Sequence, residues 1–391
     1  MNISRRVFLS GSASLIVTAP MISNAFGSSL TKKNLVVVML RGGMDGLTAV
    51  PFIGNNILAD ARPDIGVEKP LKLTSDFALH PQLKSFKKLW DKDKASIFHA
   101  TSIPYTGRSH FEGQYLMESG GTLPYYDKTG WLGRALETGN RKSLSISLPM
   151  PLILRGGRDL DNFMPSANKL PSDETLKILA NDYSKDKVLS NVLNTIRQRP
   201  IAMMQNSKNA NQDIKKLAKI AGEQLAQSDG PNIAVFDIAG FDTHADQGGN
   251  NGEHAKKLRQ FDQIISTLEN EMSSAFENTI IVSLTEFGRT LDQNGGSGTE
   301  HGYGSAILMA GGLLNKSKII SDWPGLEKKN LFEGRDLNSS VDARAVYASI
   351  LARVLDSDHK QIVKKAFFIV ADDSSSLSSA EPNFCTSFAT T

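Results

Sequence analysis

The sequence predicts an α/β fold with a doubly wound, mostly parallel sheet. Three observations favour it: short β-branched apolar runs, helical stretches that alternate with them, and acidic or histidine residues soon after several of the runs. Runs of about four to eight such residues bounded by glycine are typical of buried parallel strands. Strands that alternate with helices over this length indicate one sheet covered by helices.

The predicted strands begin with residues 35–40, LVVVML, and continue with residues 96–100. The alternation returns at residues 233–236 and continues at residues 279–282 and 305–310. In open α/β sheets, ligands bind in the crevice beyond the carboxyl ends of the strands. Polar residues at these ends are therefore the first candidates for a functional site.

Apolar residues at helical spacing predict helices over residues 83–90, 253–271 and 341–355. Another helix is expected to open with Ser109 as its N-cap, because Glu112 follows three positions later and fits the partner in a capping box. These stretches fall between the predicted strands or after the last of them, as a doubly wound sheet requires.

The chain is expected to form one α/β domain over residues 26–371. Within it, residues 173–226 have few β-branched runs and many Lys, Gln, Asn and Leu, so we expect a helical insertion at about residues 155–230. The Ser-rich residues 372–391 are predicted to be a disordered tail.

Composition and charge exclude several classes of function. The 391 residues carry a formal charge of +3, which falls to +1 without Arg5 and Arg6 and gives no indication of nucleic-acid binding. Cys385 is the single cysteine, so an intrachain disulfide is excluded. The sequence has no Cys cluster, haem motif or Gly-x-Gly-x-x-Gly after the first strand, which argues against an oxidoreductase.

Residues 1–25 have the pattern of a twin-arginine signal peptide. Residues 4–9, SRRVFL, supply the arginine pair, and residues 23–25, SNA, supply small residues for cleavage. The alternative is a chance arginine pair before an ordinary Sec signal. No later run reaches the roughly 18 apolar residues of a membrane span. We therefore expect a periplasmic or extracellular protein that meets the twin-arginine translocase during export.

Two candidate clusters follow predicted strands. Asp45 lies in the turn GGMDG after the first strand, where a carboxylate suits cation binding, although an Asp before Gly equally suits a helix cap. Asp242 and His244 are separated by one residue, so in extended backbone both side chains point the same way and can reach one metal. The alternative for this pair is a surface turn with an Asp–His hydrogen bond.

Glu286 and His301 are the later candidates. Glu286 follows a predicted strand, and an ion pair with Arg289 is the alternative to metal binding. His301 lies in the glycine-rich residues 295–304, which are too irregular for a core and predict a site loop. Glu300 beside it is equally suited to binding a metal or to being solvated.

Ser109 is the candidate nucleophile, because a hydroxyl at a helix N-terminus lies among free N–H groups that suit phosphate or sulfate. Arg108 is suited to clamping an anion, and His110 to binding a metal or orienting the site. The alternative is a plain N-cap flanked by exposed residues. The four histidines outside these candidate clusters are expected to be structural: His80, His99, His254 and His359.

These motifs together resemble those of the bacterial DUF1501 family of twin-arginine exported proteins, placed within the alkaline phosphatase/sulfatase-like superfamily. The likeness covers nearly all of the mature chain. The matching stretches are residues 42–46 (GGMDG), 79–81 (LHP), 108–112 (RSHFE), 129–134 (TGWLGR), 241–244 (FDTH), 285–289 (TEFGR) and 341–347 (VDARAVY).

The resemblance implies an alkaline phosphatase-like sheet that binds one or two divalent ions, whether zinc, calcium or magnesium, and carries its nucleophile at Ser109. Glu286 stands where superfamily enzymes usually carry an Asp–His doublet, and Phe287 follows it, so one histidine ligand is missing. That departure allows a single metal, a harder ion or an inactive site. The expected metal ligands are Asp45, His110, Asp242, His244, Glu286 and His301.

Two hypotheses for function follow from these expectations. The first is an exported metal-dependent hydrolase of phosphate or sulfate esters, which acts on a small anionic or carbohydrate-linked substrate. In it, Ser109 attacks in line while Arg108 and the helix N-terminus hold the equatorial oxygens. The second is a non-catalytic exported binding protein that retains the alkaline phosphatase-like fold.

Overall fold

Most of the expected α/β domain falls within the part of the chain that the structure describes. The signal peptide at residues 1–25, the tail at residues 372–391 and much of the insertion at about residues 155–230 lie outside the described residues and stay predictions. Among the described residues, no helix combines the length and apolar character that crossing a bilayer requires. The computed structural model describes residues 32–137, 141–146, 150–162, 172–187, 189–190, 193–194 and 213–368.

The strands of the described residues form one large sheet and one small hairpin. In chain order they are β1 (Asn34–Arg41), β2 (Leu71–Lys72), β3 (Ala78–Leu79), β4 (Ala95–Ser102), β5 (Ser143–Ile146), β6 (Leu160–Asn162), β7 (Ile233–Ala239), β8 (Thr279–Leu284), β9 (Ser305–Ala310), β10 (Ile319–Ile320) and β11 (Val341–Asp342). The large sheet has nine strands in the order β10-β4-β9-β8-β1-β7-β5-β6, with β11 also beside β4. Strands β2 and β3 form the hairpin.

The α-helices of the described residues alternate with these strands. In chain order they are α1 (Gly46–Ala49), α2 (Ile57–Ala61), α3 (Lys84–Trp90), α4 (His110–Ser119), α5 (Trp131–Leu136), α6 (Asp173–Asp182), α7 (Ile214–Ala226), α8 (Glu253–Met272), α9 (Ala343–Leu355) and α10 (His359–Phe367).

The large sheet is mostly parallel, which confirms the predicted fold class. Strands β7 and β8 both run parallel to β1, which lies between them. Strand β9 is the exception, since it runs antiparallel to both β4 and β8. The reversal brings the start of β9, rather than its end, to the edge where β1, β7 and β8 finish.

Alternate residues of β1 enter two separate cores, so the sheet is buried on both faces. Leu35, Val37 and Met39 belong to one core, which is completed by residues of α4, α5, α9 and α10. The intervening residues of β1 belong to the other core, with residues of α3, α7 and α8. Residues 35–40 of β1 are all apolar, and such a run fits a sheet that is covered on both sides, because each side chain then leaves water.

Two of the helices pair on one face of the sheet. Helix α7 packs against α8, and Leu217, Ala221 and Leu225 of α7 share a core with Leu258 and Phe261 of α8. Residues 160–162, within the expected insertion, form the edge strand β6 beside β5. The described ends of the insertion are therefore part of the sheet and its cover.

Candidate metal centre

One edge of the sheet collects most of the predicted site residues. Asp45 follows β1, Asp242 and His244 follow β7, and Glu286 follows β8. His301 precedes β9, and it reaches the same edge because β9 runs antiparallel to its neighbours. The topology thus brings together side chains that lie up to about 250 positions apart in the sequence.

Glycine permits the close approach of the strand ends. Gly42 ends the β1 strand with φ +114°, and a Cβ at this position would lie 2.4 Å from the Asp242 nitrogen. A Cβ at Gly298 would lie 2.3 Å from the backbone carbon of His244. Only glycine fits these contacts, so the glycine-rich residues 295–304 pack directly behind the site.

Asp242 lies at the centre of the cluster. Its Oδ1 is 2.9 Å from His244 Nε2 and 3.2 Å from His301 Nε2, and its Oδ2 is 3.2 Å from His110 Nε2. The two nitrogens His244 Nε2 and His301 Nε2 are 2.9 Å apart. His110, Asp242 and His301 each offer a ligand atom, and these atoms lie within 4.8 Å of one another.

All three imidazoles turn the same nitrogen toward Asp242, and an oxygen acceptor holds the other nitrogen. A carboxylate or carbonyl oxygen carries no proton, so each Nδ1 donates and a neutral ring leaves its Nε2 as a bare lone pair. Metal-binding histidines are usually oriented in this way. The Nδ1 pairs are His110 with Glu286 Oε1 at 2.9 Å, His244 with Glu300 Oε2 at 2.9 Å, and His301 with the Arg108 carbonyl at 2.8 Å.

The residues at this edge fit a divalent metal. The nitrogens and oxygen that converge here are 2.9–3.2 Å apart, near the separation of roughly 3.3 Å between ligand atoms of a tetrahedral zinc site. His110 Nε2 is buried and has no hydrogen-bond partner in the described part of the chain. Lone pairs that face one another across such distances repel unless a cation lies between them.

The surroundings shift the protonation of Asp242 and His301 in one direction and that of His110 in the other. Burial lowers the pKa of His301, so its ring is neutral at pH 7. Burial opposes ionisation of Asp242, but the hydrogen bond and charge of Arg289 outweigh it and lower the pKa. The hydrogen bond to Glu286 raises the pKa of His110. Ionised carboxylate and neutral imidazole are the forms that bind metals, so the shifts at Asp242 and His301 favour metal binding. The raised pKa of His110 favours its protonated form, which gives up a proton when a metal binds.

Glu286 lies behind His110 and has no exposed surface. Its Oε1 accepts hydrogen bonds from the Gly42 N–H at 2.8 Å and from Gln114 Nε2 at 2.9 Å, besides the bond from His110. Burial would raise the pKa of Glu286, but these hydrogen bonds outweigh it and lower the pKa. The structure brings Glu286 to the cluster as a support for His110.

The structure does not place the Asp45 carboxylate among the converging ligand atoms. Asp45 is the N-cap of α1, and its side chain accepts from the Leu47 and Thr48 N–H groups. Arg62 pairs with it at 2.8 Å, and both side chains are buried. Burial would raise the pKa of Asp45, but the Arg62 charge outweighs it and brings the pKa to about 2. The helix-cap alternative therefore describes the observed geometry.

Arg289 pairs with Asp242 rather than with Glu286. Its Nη1 donates to Asp242 Oδ1 at 3.0 Å, and its other nitrogens donate to the hydroxyl and carbonyl oxygens of Thr299. The expected alternative, an ion pair between Glu286 and Arg289, is therefore not what the structure shows. The Arg289 side chain is fully buried, so its charge is a fixed part of the centre.

Ser109 is the N-cap residue of α4, as predicted, but the capping box is wrong. The Ser109 side chain makes no capping hydrogen bond. Glu112 instead accepts from the Tyr105 hydroxyl at 2.8 Å, and the Ser109 N–H donates to the same hydroxyl. Tyr105 thus takes the place of the expected Ser–Glu exchange, which leaves the Ser109 hydroxyl without a capping role beside His110.

Arg108 is engaged by acidic side chains. Its guanidinium lies 2.7 Å from Asp336 and 2.6 Å from Glu333. Its backbone has φ +56°, unusual for a side chain of this size, and its carbonyl oxygen accepts from His301. The expected anion clamp is therefore a cation that already has two carboxylate partners.

Sequence reasoning missed several residues that organise this edge. Arg62 and Gln247 meet the Asp45 carboxylate, and Gln114 meets Glu286. The sequence motifs described above give none of the three a role. Asp45 and Glu286 require these partners because they are buried, and an ionised group away from water needs hydrogen-bond donors around it.

Comparison with known proteins gives a family and a set of distant structures. A family model described as "Protein of unknown function (DUF1501)" matches residues 72–367. A search of curated proteins finds no match. Solved structures that are similar to this chain include several at 9–13% identity and TM-scores of 0.29–0.41.

Three solved structures illustrate that similarity. Ps i-CgsB is 13% identical over 86% of this chain and 76% of its own, with a TM-score of 0.41. The PsFucS1 sulfatase from Pseudoalteromonas sp. is 13% identical over 88% of this chain and 72% of its own, with a TM-score of 0.39. A mutant TAB5 alkaline phosphatase with bound Mg is 11% identical over 74% of this chain and 94% of its own, with a TM-score of 0.37.

Proposed function

This chain belongs to the DUF1501 family, and from that premise we propose that it is an exported metal-dependent hydrolase of phosphate or sulfate esters. One observation carries the proposal: three imidazoles, each held through Nδ1, turn their Nε2 atoms toward Asp242. Such an arrangement suits a metal that acts on a substrate at its open side. Asp242 and His244 leave that side partly exposed.

The proposed metal ligands are Asp242, His244, His301 and His110. A divalent ion bound there supplies a Lewis acid that polarises an ester oxygen and lowers the pKa of a nearby hydroxyl. Asp242 contributes the negative charge of the set, and Arg289 fixes the position of its carboxylate through the 3.0 Å hydrogen bond.

Ser109 is the proposed nucleophile. Its Oγ attacks the phosphorus or sulfur atom in line with the ester oxygen, which leaves as the alcohol, and water then hydrolyses the seryl ester. The first amide of α4 with an intrahelical acceptor is that of Gly113, which donates to the Ser109 carbonyl. The preceding amides at the positive end of the helix are suited to holding the equatorial oxygens.

Arg108 has a different role in this proposal from the anion clamp expected from the sequence. Its pairs with Asp336 and Glu333 hold the residue before Ser109, and its carbonyl holds His301. To contact a substrate oxygen, the guanidinium would have to exchange a carboxylate partner. We therefore assign to Arg108 the positioning of Ser109 and His301.

The proposed substrate is a small anionic ester, free or linked to a carbohydrate, and the proposed location is the periplasm or the extracellular space. The location rests on the arginine pair of residues 4–9 and on the small residues at 23–25. Export through the twin-arginine translocase fits a protein that binds its metal before it crosses the membrane.

Aryl phosphate and aryl sulfate esters test the proposal directly. We expect hydrolysis by the metal-loaded protein, its loss on chelation, and its loss in Ser109→Ala with the metal content unchanged. Ser228→Ala, in an exposed turn, is the matched control and should retain full activity. Hydrolysis that survives both chelation and Ser109→Ala would contradict the proposed mechanism.

The second candidate is a non-catalytic exported binding protein. The pairing of Arg108 with Asp336 and Glu333 favours it, because a dedicated anion clamp would be expected to stay free. The same assays separate the candidates. Tight metal binding without hydrolysis of any ester would favour the binding protein over the enzyme.

A further inference from the structure

We propose that the centre takes one exchangeable divalent ion of the zinc type. The buried side chains of Arg62 and Arg289 take up the carboxylate charge that a second ion would need. This inference rests on the proposed function for the presence of a metal, and it adds the number and class of ion. The resemblance to the superfamily allows one or two ions of three kinds. The contacts around Asp45, Asp242 and Glu286 restrict that choice.

The Asp45 carboxylate has no capacity left for a cation. Six donors surround it, although a carboxylate offers only about four lone-pair directions. Its environment is also dry, since neither Asp45 nor Arg62 is more than 2% exposed. The donors to Oδ1 are Leu47 N, Thr48 N and Arg62 Nη2, and the donors to Oδ2 are Thr48 Oγ1, Arg62 Nη1 and Gln247 Nε2.

Arg62 is itself fixed in place. Its Nε donates to the Leu291 carbonyl at 2.8 Å, and its Nη2 donates to the Thr290 carbonyl at 2.7 Å. Displacing this guanidinium would therefore break backbone hydrogen bonds as well as the ion pair with Asp45. A metal ion that took its place would leave a buried charge without a partner, which costs several kcal/mol.

Arg289 places a second permanent charge beside the centre. Its side chain is fully buried and donates to Asp242 Oδ1. Asp242 carries one negative charge, which Arg289 and one divalent ion together already exceed, so a second divalent ion at the same carboxylate is disfavoured.

Glu286, which follows β8, is the third carboxylate near the centre. It has no exposed surface, and its Oε1 accepts from His110, Gln114 and Gly42. A carboxylate used in this way orients a histidine and does not bind the ion. We therefore assign Glu286 as a positioning residue for His110, in place of the expected metal ligand.

The remaining donor set selects the class of ion. Three imidazole nitrogens and one carboxylate suit zinc and similar transition ions, whereas calcium and magnesium prefer six or more oxygen ligands. The carboxylates next to these histidines in the described part of the chain, Glu286 and Glu300, each accept a hydrogen bond from a histidine Nδ1. The centre therefore offers too few oxygens for a hard ion.

Titration of the metal-depleted full-length protein with Co²⁺ and Zn²⁺ tests the inference without reference to activity. We expect a break at one equivalent, a Co²⁺ absorption spectrum typical of four-coordinate nitrogen and oxygen ligands, and no competition by millimolar Ca²⁺ or Mg²⁺. A break at two equivalents, or displacement of Co²⁺ by Ca²⁺, would overturn it. The wild-type titration decides the question even where a variant does not fold.

Two variants locate the ion. His301→Gln is expected to weaken Zn²⁺ binding by about 100-fold or more, because it removes a ligand. Asp45→Asn should leave one equivalent bound with less than a threefold change in affinity. Loss of Zn²⁺ from folded Asp45→Asn protein would overturn the assignment. One bound equivalent without ester hydrolysis would instead contradict the proposed function and leave this inference standing.

Discussion

Asp45 and Asp242 follow two paired strands, β1 and β7, yet they lie in opposite environments. Asp45 is fully buried, and protons on nitrogen and oxygen point at both of its oxygens. Asp242 is 40% exposed, and histidine nitrogens with free lone pairs face it alongside one arginine. The donors and the Arg62 charge around Asp45 leave no place for a further cation, whereas the histidines around Asp242 suit one. Position at a strand end therefore does not determine what a carboxylate does.

The largest effect is expected at Asp45, when its buried counter-charge is removed. Arg62→Met removes the guanidinium and leaves the Asp45 carboxylate buried without its counter-charge, which should lower the free energy of unfolding by about 3–5 kcal/mol. Urea denaturation of the metal-free protein measures the change. The double variant Arg62→Met/Asp45→Asn is the control, and it should recover part of the loss. A single variant as stable as the wild type would remove the contrast between Asp45 and Asp242.

Acid should destabilise the folded protein through His254, which lies next to Asp45. The Asp45 N–H donates to His254 Nε2, and burial lowers the pKa of His254 to about 3. The unfolded state takes up a proton near pH 6.5 while the folded state stays neutral, so stability falls as the pH drops from 7 to 4, by about 3 kcal/mol for this group.

Urea denaturation at several pH values measures that dependence. His254→Gln keeps an acceptor for the Asp45 N–H but cannot titrate, so its stability should vary less between pH 7 and pH 4. Buried His99, with its pKa lowered to about 4 by desolvation, contributes a similar slope in both proteins. Equal slopes in the wild type and the variant would contradict the role given to His254.

Around Asp242 we expect the reverse of the Asp45 result: a small change in stability and a large change in Zn²⁺ affinity. His244 is 41% exposed and pairs with the half-exposed Glu300, so His244→Gln should change the free energy of unfolding of the metal-free protein by less than about 1 kcal/mol. The same variant should lose about 100-fold or more in Zn²⁺ affinity, because it too removes a ligand, and the loss appears as a smaller shift of Tm on addition of Zn²⁺. A large loss of stability without metal would show that His244 is structural.

The smallest effect is expected at Glu300. Glu300→Gln keeps an oxygen that can accept from His244 Nδ1 at the observed 2.9 Å position and removes only the charge. We expect Zn²⁺ affinity to fall by about tenfold or less, with stability unchanged within about 0.5 kcal/mol. Calorimetric Zn²⁺ titration measures the affinity. A loss equal to that of His244→Gln would mean that Glu300 itself binds the ion.

The long elements of the fold were predictable because their patterns are local. The fully apolar β1 and the amphipathic α8 differ from the predicted bounds by one or two residues. The edge strand β6, with the sequence LDN, was not predicted, because its three residues have no apolar pattern and depend on pairing with β5. The antiparallel direction of β9 also has no local signal, since side-chain alternation is the same in both directions.

The candidate site was predictable as a group of residue types and not as a set of roles. Asp242, His244 and His301 converge as expected, because strand ends of one sheet meet at one edge. The roles of Asp45 and Glu286 depend on Arg62, Gln247 and Gln114, which approach from distant parts of the chain. A sequence alone does not show which donors will meet a buried carboxylate.

The order of strands in the sheet has a consequence for biosynthesis. Strand β1 is the first strand of the described residues and lies in the middle of the sheet, where Leu35 pairs with Ile233 on one side and Ile280 on the other. At about 5–20 residues per second, both partners leave the ribosome roughly ten seconds or more after β1. During that interval the apolar residues 35–40 have neither of their partner strands to pair with. A chaperone that binds exposed apolar segments of nascent chains should therefore bind residues 34–41.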